Sequence, residues 1–598
     1  VSNMIHYPKI GIRPTIDGRQ GGVRESLEAK TMQMAESAKA LIESSLYYAD
    51  GTPVQCLVAS RSIGGRGDAS IVDQEFANQN VVATLTLTPS WCYGTETMDM
   101  SPNTLKAIWG FNGTERPGAV YLAAAMSGYV QKGYPAFKIY GRDVQDLDDH
   151  SIPVDVAEKI LLFVKGAVAV GQMKGKSYVN IGASSMGIAG SQVDSSFFED
   201  YLGMMVEFVD MTEILRRIQL EIYDKDEYDK ALAWIKDNCK EGIDINIGKD
   251  YPDVITKSKI IPADKDWEFI AKQTLIIRDI LFGNPALADI GWEEEARGRN
   301  AISGGFQGQR QWTDWLPNGD FAEAILASTF DWDGPRPVTA FATENDTLNG
   351  VSMLFGTLLT NKAPIFSDVR TYWSPEAVKR VTGKSLDGHA KHGILHLINS
   401  GASALDGSAA ARDELGQPTM KTFWEMTEKD ISACLEATDW CRANYEYFRG
   451  GGFSSHFKTS AELPVTLIRV NLVKDVGPTL QLAEGYTCLL EEDVHRILDE
   501  RTDKTWPTTW FAPNLGEPGF ETVYDVMNHW GSNHGAFVHG HIGAEVITLA
   551  SMLRIPVALH NVPKDKVFRP SIFSGVGTKD LEAADFKMYD VLGPLYKK

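Results

Sequence analysis

Short apolar runs rich in β-branched residues alternate with longer stretches of helical spacing through the first third of the chain. "VQCLVAS", "VVATLTLTP" and "AFKIYG" predict buried strands, and "ESLEAKTMQMAESAKALIESSL" and "GAVYLAAAMSGYVQK" predict helices. Alternation of this kind implies βαβ units and a parallel sheet, because the crossover helices must cover the sheet faces. The break at Met173-Lys174-Gly175-Lys176 reads as a short linker, with a new strand, "SYVNIG", straight after it. The middle third repeats this alternation. "SYVNIG" runs into "ASSMGIAGS", then come "MMVEFVD", helical stretches to Phe282 and the strand "VTAFAT" at 338–343. The last third changes character. "PVTLIRVNLV" and "TLQLAEGYTCLL" are β-rich with turn signals and no regular helix between them, which predicts an antiparallel sheet or small barrel. The expected architecture is two parallel-sheet α/β domains, 1–172 and 173–356, followed by a β-rich α+β domain, 357–598.

Composition narrows the classes of partner. Apolar residues make up 43% and charged residues 23% of the 598, which is ordinary for a globular protein. A net charge of −21 disfavours a nucleic-acid partner, whose phosphates demand a basic surface. The six cysteines are scattered without a CxxC pair, so neither a disulfide framework nor a zinc ribbon is indicated. "VSNMIHYPKIGIRP" lacks the apolar core of a signal peptide, and "ILLFVKGAVAVG" is broken by Lys165 and too short to span a bilayer. A cytoplasmic protein with no membrane partner is expected. "GRGD" at 65–68 and the sequon Asn112-Gly113-Thr114 matter only outside the cell and are set aside. Gly182-x4-Gly187 mimics a phosphate loop but has Ile188 where lysine is required, so it reads as a tight turn.

Candidate chemistry falls at three places. A metal acting on an oxygen-rich substrate is usually held by carboxylates with one or two imidazoles. "VTAFATENDTLNG" places Glu344 directly after an apolar strand and before a helix, and "APIFSDVRTYW" suggests the same for Asp368. At the carboxyl ends of parallel strands both acids would point into one cleft. Each could instead be a helix N-cap, a role open equally to Asn345 or Asp346. The third place, "VMNHWGSNHGAFVHGHIG", holds four of the twelve histidines. His534, flanked by Asn533 and Gly535, is favoured because the glycine allows close approach; His541 is the runner-up, and His529 and His539 read as bystanders. No HExxH helix exists, which argues against a zinc protease. Tryptophans among polar residues in "SWCYG", "QRQWTDW", "RTYW" and "TWPTTWF" suit the mixed surface of a sugar, although core edges would look alike.

"PKIGIRPTIDGR", "AIWGFNGTERPGAVYLAAA", "SMGIAGS", "GFQGQRQWTD", "DVRTYWSPEA", "HLINSG", "EYFRGGG", "TWPTTWFAP" and "ITLASMLRIPV" resemble the L-fucose isomerase family along essentially the whole chain. The resemblance implies a manganese-dependent aldose–ketose isomerase of three domains, acting on a monosaccharide and assembled as a hexamer. It implies metal ligands Glu344, Asp368 and His534, with both acids catalytic along an enediol proton-transfer route. Substrate contacts carried over by motif are Arg13, Trp91, Gln309, Tyr447, Trp506 and Asn533. Pockets of this family are shared, so Arg13 and Trp91 would serve an adjacent chain. Ser90 departs from the cysteine often found there. The family includes D-arabinose isomerases, which leaves that sugar open as the main substrate. From other classes, a metal-free glycoside hydrolase using the same two acids and a non-catalytic sugar-binding protein remain as rivals.

Overall fold

The computed structural model describes residues 7–570 and 581–597. It divides into two compact units: Val1–Lys174 with Ala544–Pro556 and Lys564–Lys598, and Gly175–Gly543 with Val557–Pro563.

The first unit is built on a five-stranded sheet in the order Cys56–Val58, Lys9–Pro14, Val81–Thr88, Leu105–Gly110, Ala136–Tyr140. Every pairing is parallel. The strand-and-helix alternation of the sequence is therefore realised as βαβ crossovers, through helices that include Val23–Ser45 and Gly118–Gln131. "ILLFVKGAVAVG" lies within the helix Val154–Met173, whose Ile160, Phe163, Val164 and Ala167 are buried. Among the described residues no helix is long and apolar enough to cross a membrane.

The helix Gly543–Met552 packs on that element. A side chain at Gly166 would meet the Met552 sulfur at 3.0 Å, Lys165 pairs with Glu545 at 3.4 Å, and Phe568 lies 5.1 Å from Phe137. By its position in the chain this stretch is expected in the last domain; the structure groups Ala544–Pro556 with the first unit. Its apolar stripe is complementary to a helix nearly four hundred positions upstream, and chain proximity does not decide where such a stripe is buried.

The second unit is built on two larger sheets, among smaller ones of two or three strands. Four parallel strands run in the order Ala340–Ala342, Ala301–Phe306, Ser177–Ile181, Met205–Val209. The other sheet is ordered Pro464–Val473, His534–His539, Ile365–Trp373, Ile394–Ile398, Thr508–Pro513, Gly477–Thr487, with Val557–Leu559 added at its end. Pro464–Val473 also pairs with Gly477–Thr487 across a tight hairpin, so the six antiparallel strands close on themselves as a small barrel.

One local expectation changes. Asp368 does not terminate a strand. Ile365–Trp373 continues through the β-branched and aromatic "VRTYW", and the next helix starts only at Pro375, capped by Ser374 Oγ accepting from Ala377 N. The last third also contains short helices, among them Glu428–Glu436, Glu492–Asp499 and Val523–His529. Two of these are announced by Thr-x-x-Asp capping boxes, which a search for long periodic runs passes over.

Candidate active site

Glu344 sits where the parallel sheet hands over to a helix. Ala340–Ala342 lies on Ala301–Phe306, the chain turns through Thr343–Asn345, and the helix Thr347–Thr360 follows. Asp346, not Glu344 or Asn345, is the N-cap, accepting from Asn349 N. Glu344 and Asn345 both adopt positive φ, 58° and 50°. Two successive side-chain-bearing residues in the left-handed region cost roughly 1–3 kcal/mol each and persist only where the surroundings dictate them. Here the helix behind the turn is buried on every side but its last residue, and Gly305 leaves room for Asn345. A Cβ at Gly305 would lie 2.5 Å from Asn345 Oδ1. Gly305→Ala is therefore expected to push the turn off position, costing about 1–3 kcal/mol and lowering turnover; thermal melting and kcat check both.

Asp368 and His534 meet through strand register. They are directly opposed in the antiparallel pairing of Ile365–Trp373 with His534–His539, and opposed residues project to the same face about 5 Å apart. His534 Nε2 lies 3.1 Å from Asp368 Oδ1 and 3.6 Å from Glu344 Oε2. The imidazole is 1% exposed and the Asp368 side chain 26%, so Asp368 is the open edge of the cluster. Gln309 Nε2 donates to Glu344 Oε1 at 2.7 Å, and Ser400 Oγ donates to the same oxygen at 2.9 Å. One Glu344 oxygen is thus held from behind while the other faces His534. Asn533 Nδ2 lies 3.1 Å from His534 Nε2. Asp346 Oδ2 lies 2.6 Å from His534 Nδ1 and 2.7 Å from Arg469 Nη1.

The charges are strongly perturbed. Burial pushes the Glu344 carboxyl up to about 7, with Asp368 adding to the rise and His534 opposing it. Burial works against a charged His534, but its hydrogen bonds to Asp346 and Asp368 outweigh this and hold it up at about 10. Asp346, although buried, is kept well below the usual carboxylate range by Arg469 and His534. Asp320 and Glu323 on the neighbouring helix are raised well above that range, first by burial, and add no negative charge when protonated.

Two carboxylates and an imidazole form a hard donor set that suits an oxygen-preferring divalent ion such as Mn²⁺. Glu344, Asp368 and His534 would hold such an ion, since both acids approach one imidazole nitrogen, at 3.1 and 3.6 Å. Among the described residues no three or more His, Cys, Asp or Glu side chains are so placed, as they stand, that they could hold a metal ion. The cluster closes instead through hydrogen bonds centred on His534, and an ion would take the place of the Nε2 proton. The donors fit.

The remaining histidines serve elsewhere. Lys362 Nζ donates to His539 Nδ1 at 2.9 Å, and His541 Nε2 bonds the Gly485 carbonyl at 2.8 Å. His529 is exposed at a helix end. Trp506 packs with Ile398, the residue opposed to Asp368 on the other side, and its ring lies 5.7 Å from that of Tyr447. Trp506 Nε1 is buried with no hydrogen-bond partner among the described residues. In the first unit Arg13 is fully buried, bonded to Thr86 Oγ1 and the Thr97 carbonyl and 3.6 Å from Asp73. Trp91 is 37% exposed.

Asp346, Ser400 and Arg469 are absent from the site expected from sequence. Asp346 is visible there only as a possible cap. Arg469 leaves the clearest trace, a single charge inside the apolar strand "PVTLIRVNLV", which needs a buried acid to answer it.

Comparison with known proteins adds three family models that tile most of the chain. They are described as L-fucose isomerase, first N-terminal domain, over 7–175; second N-terminal domain, over 176–361; and C-terminal domain, over 397–560. The chain is 81% identical over 592 residues to the L-fucose isomerase of Clostridium perfringens, covering 99% of this chain and 100% of that one. It is 59% identical over 597 residues to the L-fucose isomerase of Bacteroides fragilis, with the same coverage. Against the L-fucose isomerase of Streptococcus pneumoniae it is 58% identical over 595 residues, again 99% and 100%.

Proposed function

The chain belongs to the L-fucose isomerase family, and from that premise we propose that it interconverts L-fucose and L-fuculose with Mn²⁺ held by Glu344, Asp368 and His534. It is an aldose–ketose isomerase. The observation that carries the site assignment is the approach of both acids to one imidazole nitrogen, at 3.1 and 3.6 Å.

Isomerisation removes a proton from C2 of the open-chain aldose and returns one to C1, while a second proton passes between O1 and O2. A bound divalent ion supplies Lewis-acid stabilisation of the negative charge that develops on the sugar oxygens. The protein's own groups do the rest. Glu344 is pinned at Oε1 by Gln309 and Ser400, so its free oxygen has a set direction and can exchange a proton with the sugar without reorganising. Asp368, the more exposed acid, stands on the side that solvent and substrate reach, and serves the second transfer. Trp506 and Tyr447 offer apolar faces to the carbon chain. A buried indole N–H without an acceptor costs about 1–3 kcal/mol, which a sugar hydroxyl accepting from Trp506 Nε1 would relieve.

We extend the proposal to assembly: a hexamer in which the exposed Trp91 meets substrate bound by a neighbouring copy. Arg13, whose guanidinium is engaged inside its own unit, would then support the surface that carries the contact. D-arabinose is a second expected substrate. It lacks the C6 methyl of L-fucose, and burying one such group is worth only about 1 kcal/mol.

The test is turnover of L-fucose in D₂O with Mn²⁺ present. An enediol route that exchanges with solvent places deuterium at C1 of the ketose, read by mass spectrometry or NMR. Complete retention of the original hydrogen would replace proton transfer with a hydride shift, and absence of ketose would remove the proposal.

A further inference from the structure

Asp346 stands behind the imidazole, on the side away from Glu344 and Asp368, and three groups converge on its carboxylate. His534 Nδ1 and Arg469 Nη1 both reach Oδ2, at 2.6 and 2.7 Å, and Asn349 N donates to Oδ1 at 3.2 Å. Asp346, Arg469 and His534 are each at most 1% exposed, so solvent supplies no alternative partner.

Building on the metal-site reading above, we propose that Asp346 is a positioning residue that fixes both the ring orientation and the tautomer of His534, so that Nε2 faces the ion with its lone pair free. An ionised carboxylate only accepts hydrogen bonds, and a neutral imidazole carries one N–H and one lone pair. The nitrogen facing Asp346 must therefore be the protonated one. The other nitrogen, which faces Glu344 and Asp368, is left as the ligand. Phe366, with its ring 4.7 Å from that of His534, limits rotation on a further side. Arg469 shares the same carboxylate oxygen and compensates an anion that would otherwise stand uncompensated in a buried, acid-rich site.

The same side chain reaches the other arm of the site. Asp346 ends the left-handed turn that carries Glu344 and caps the helix Thr347–Thr360. One carboxylate thus sets the bearing of His534 from the barrel and the end of the turn that presents Glu344 from the parallel sheet. A rotation of Asp346 about its own side-chain bonds would disturb both ligands together.

The experiment is calorimetric titration of Mn²⁺ alone into metal-stripped, full-length protein, comparing the natural chain with Asp346→Asn. Asparagine is an equally good N-cap and keeps an oxygen for Nδ1–H, but it removes the charge that answers the buried Arg469. Mn²⁺ binding is expected to weaken about 10–100-fold, with the melting temperature of the metal-free protein also lowered because the buried Arg469 loses its counter-charge. Equal affinity in the two folded proteins overturns the inference while leaving the metal site standing. A lowered melting temperature with unchanged affinity also overturns it, since that is the signature of a purely structural residue. No Mn²⁺ binding to the natural chain would instead remove the site reading on which the inference rests. If Asp346→Asn does not fold, a crystal structure of the natural chain with Mn²⁺ decides. Nε2 on the ion with Nδ1 still on Asp346 supports the proposal; ligation through Nδ1, or a ring turned away from Asp346, overturns it.

Discussion

Glu344→Gln and Asp368→Asn are each expected to lower kcat for ketose formation by about 10²–10⁴-fold, the usual worth of a positioned acid or base. Both replacements keep shape and remove charge, so geometry survives and proton transfer does not. The two differ in what they do to stability. Glu344 is buried, and its carboxyl is pushed up to about 7 chiefly by that burial, so its charged form is held at a cost. Glutamine in its place can still accept from Ser400 Oγ and Gln309 Nε2, and it removes the repulsion from Asp368. The metal-free Glu344→Gln protein is therefore expected to melt no lower than the natural chain, and even higher, while being nearly inactive. Asp368→Asn, at the open edge of the cluster, is expected to change melting little. An active site that is stabilised by removing its own acid is the usual conflict between function and stability. Near-normal kcat in either variant takes that residue out of the mechanism.

The second large effect is metal removal. Exhaustive chelation is expected to lower activity by about 10³-fold or more, since Lewis-acid stabilisation is worth several kcal/mol and each 1.4 kcal/mol is a factor of ten. Added Mn²⁺ should restore activity. It should also raise the melting temperature, because an ion that binds only the folded chain adds about 2.7 kcal/mol at a hundred times its dissociation constant. The rise is a readout separate from turnover, and it should vanish when His534 is replaced by a side chain without a ligating nitrogen. Full activity after chelation, with no thermal shift on adding Mn²⁺, would leave the cluster as a hydrogen-bonded network and take the metal out of the mechanism.

How much of the site is legible from residues differs from one ligand to the next. Glu344 is readable because its signal is local: an apolar strand, an acid and a helical pattern follow one another within a few positions. Asp368 is readable as a candidate but misplaced. The strand continues past it through "VRTYW" to Trp373, so it projects from the face of a barrel strand and not from the end of a parallel one. His534 is favoured over His541 for the glycine beside it, and the structure supplies a stronger reason, its register opposite Asp368. The assignment of the roles themselves comes from whole-chain likeness to a family and not from spacing. Asp346 and Arg469 show why the rest stays hidden. One looks like an ordinary cap and the other like a stray charge in an apolar strand, and each acquires meaning only when the other is seen 2.7 Å away.

By itself the sequence determined the kinds of element and their neighbourhoods: parallel βαβ units early in the chain, an antiparallel sheet or small barrel late, an acid after a strand at Glu344. These follow from periodicity and turn chemistry, which act over a few residues and need no knowledge of the remainder. The tertiary structure alone decided which strand faces which, and therefore that an aspartate at 368 and a histidine at 534 share a face with a glutamate from another sheet. It also decided that the helix Gly543–Met552 is buried against Val154–Met173 and that Asp346 is answered by Arg469. The physical reason is that register and burial are set by the packing of segments far apart in the chain, where a slip of one residue turns every side chain to the opposite face.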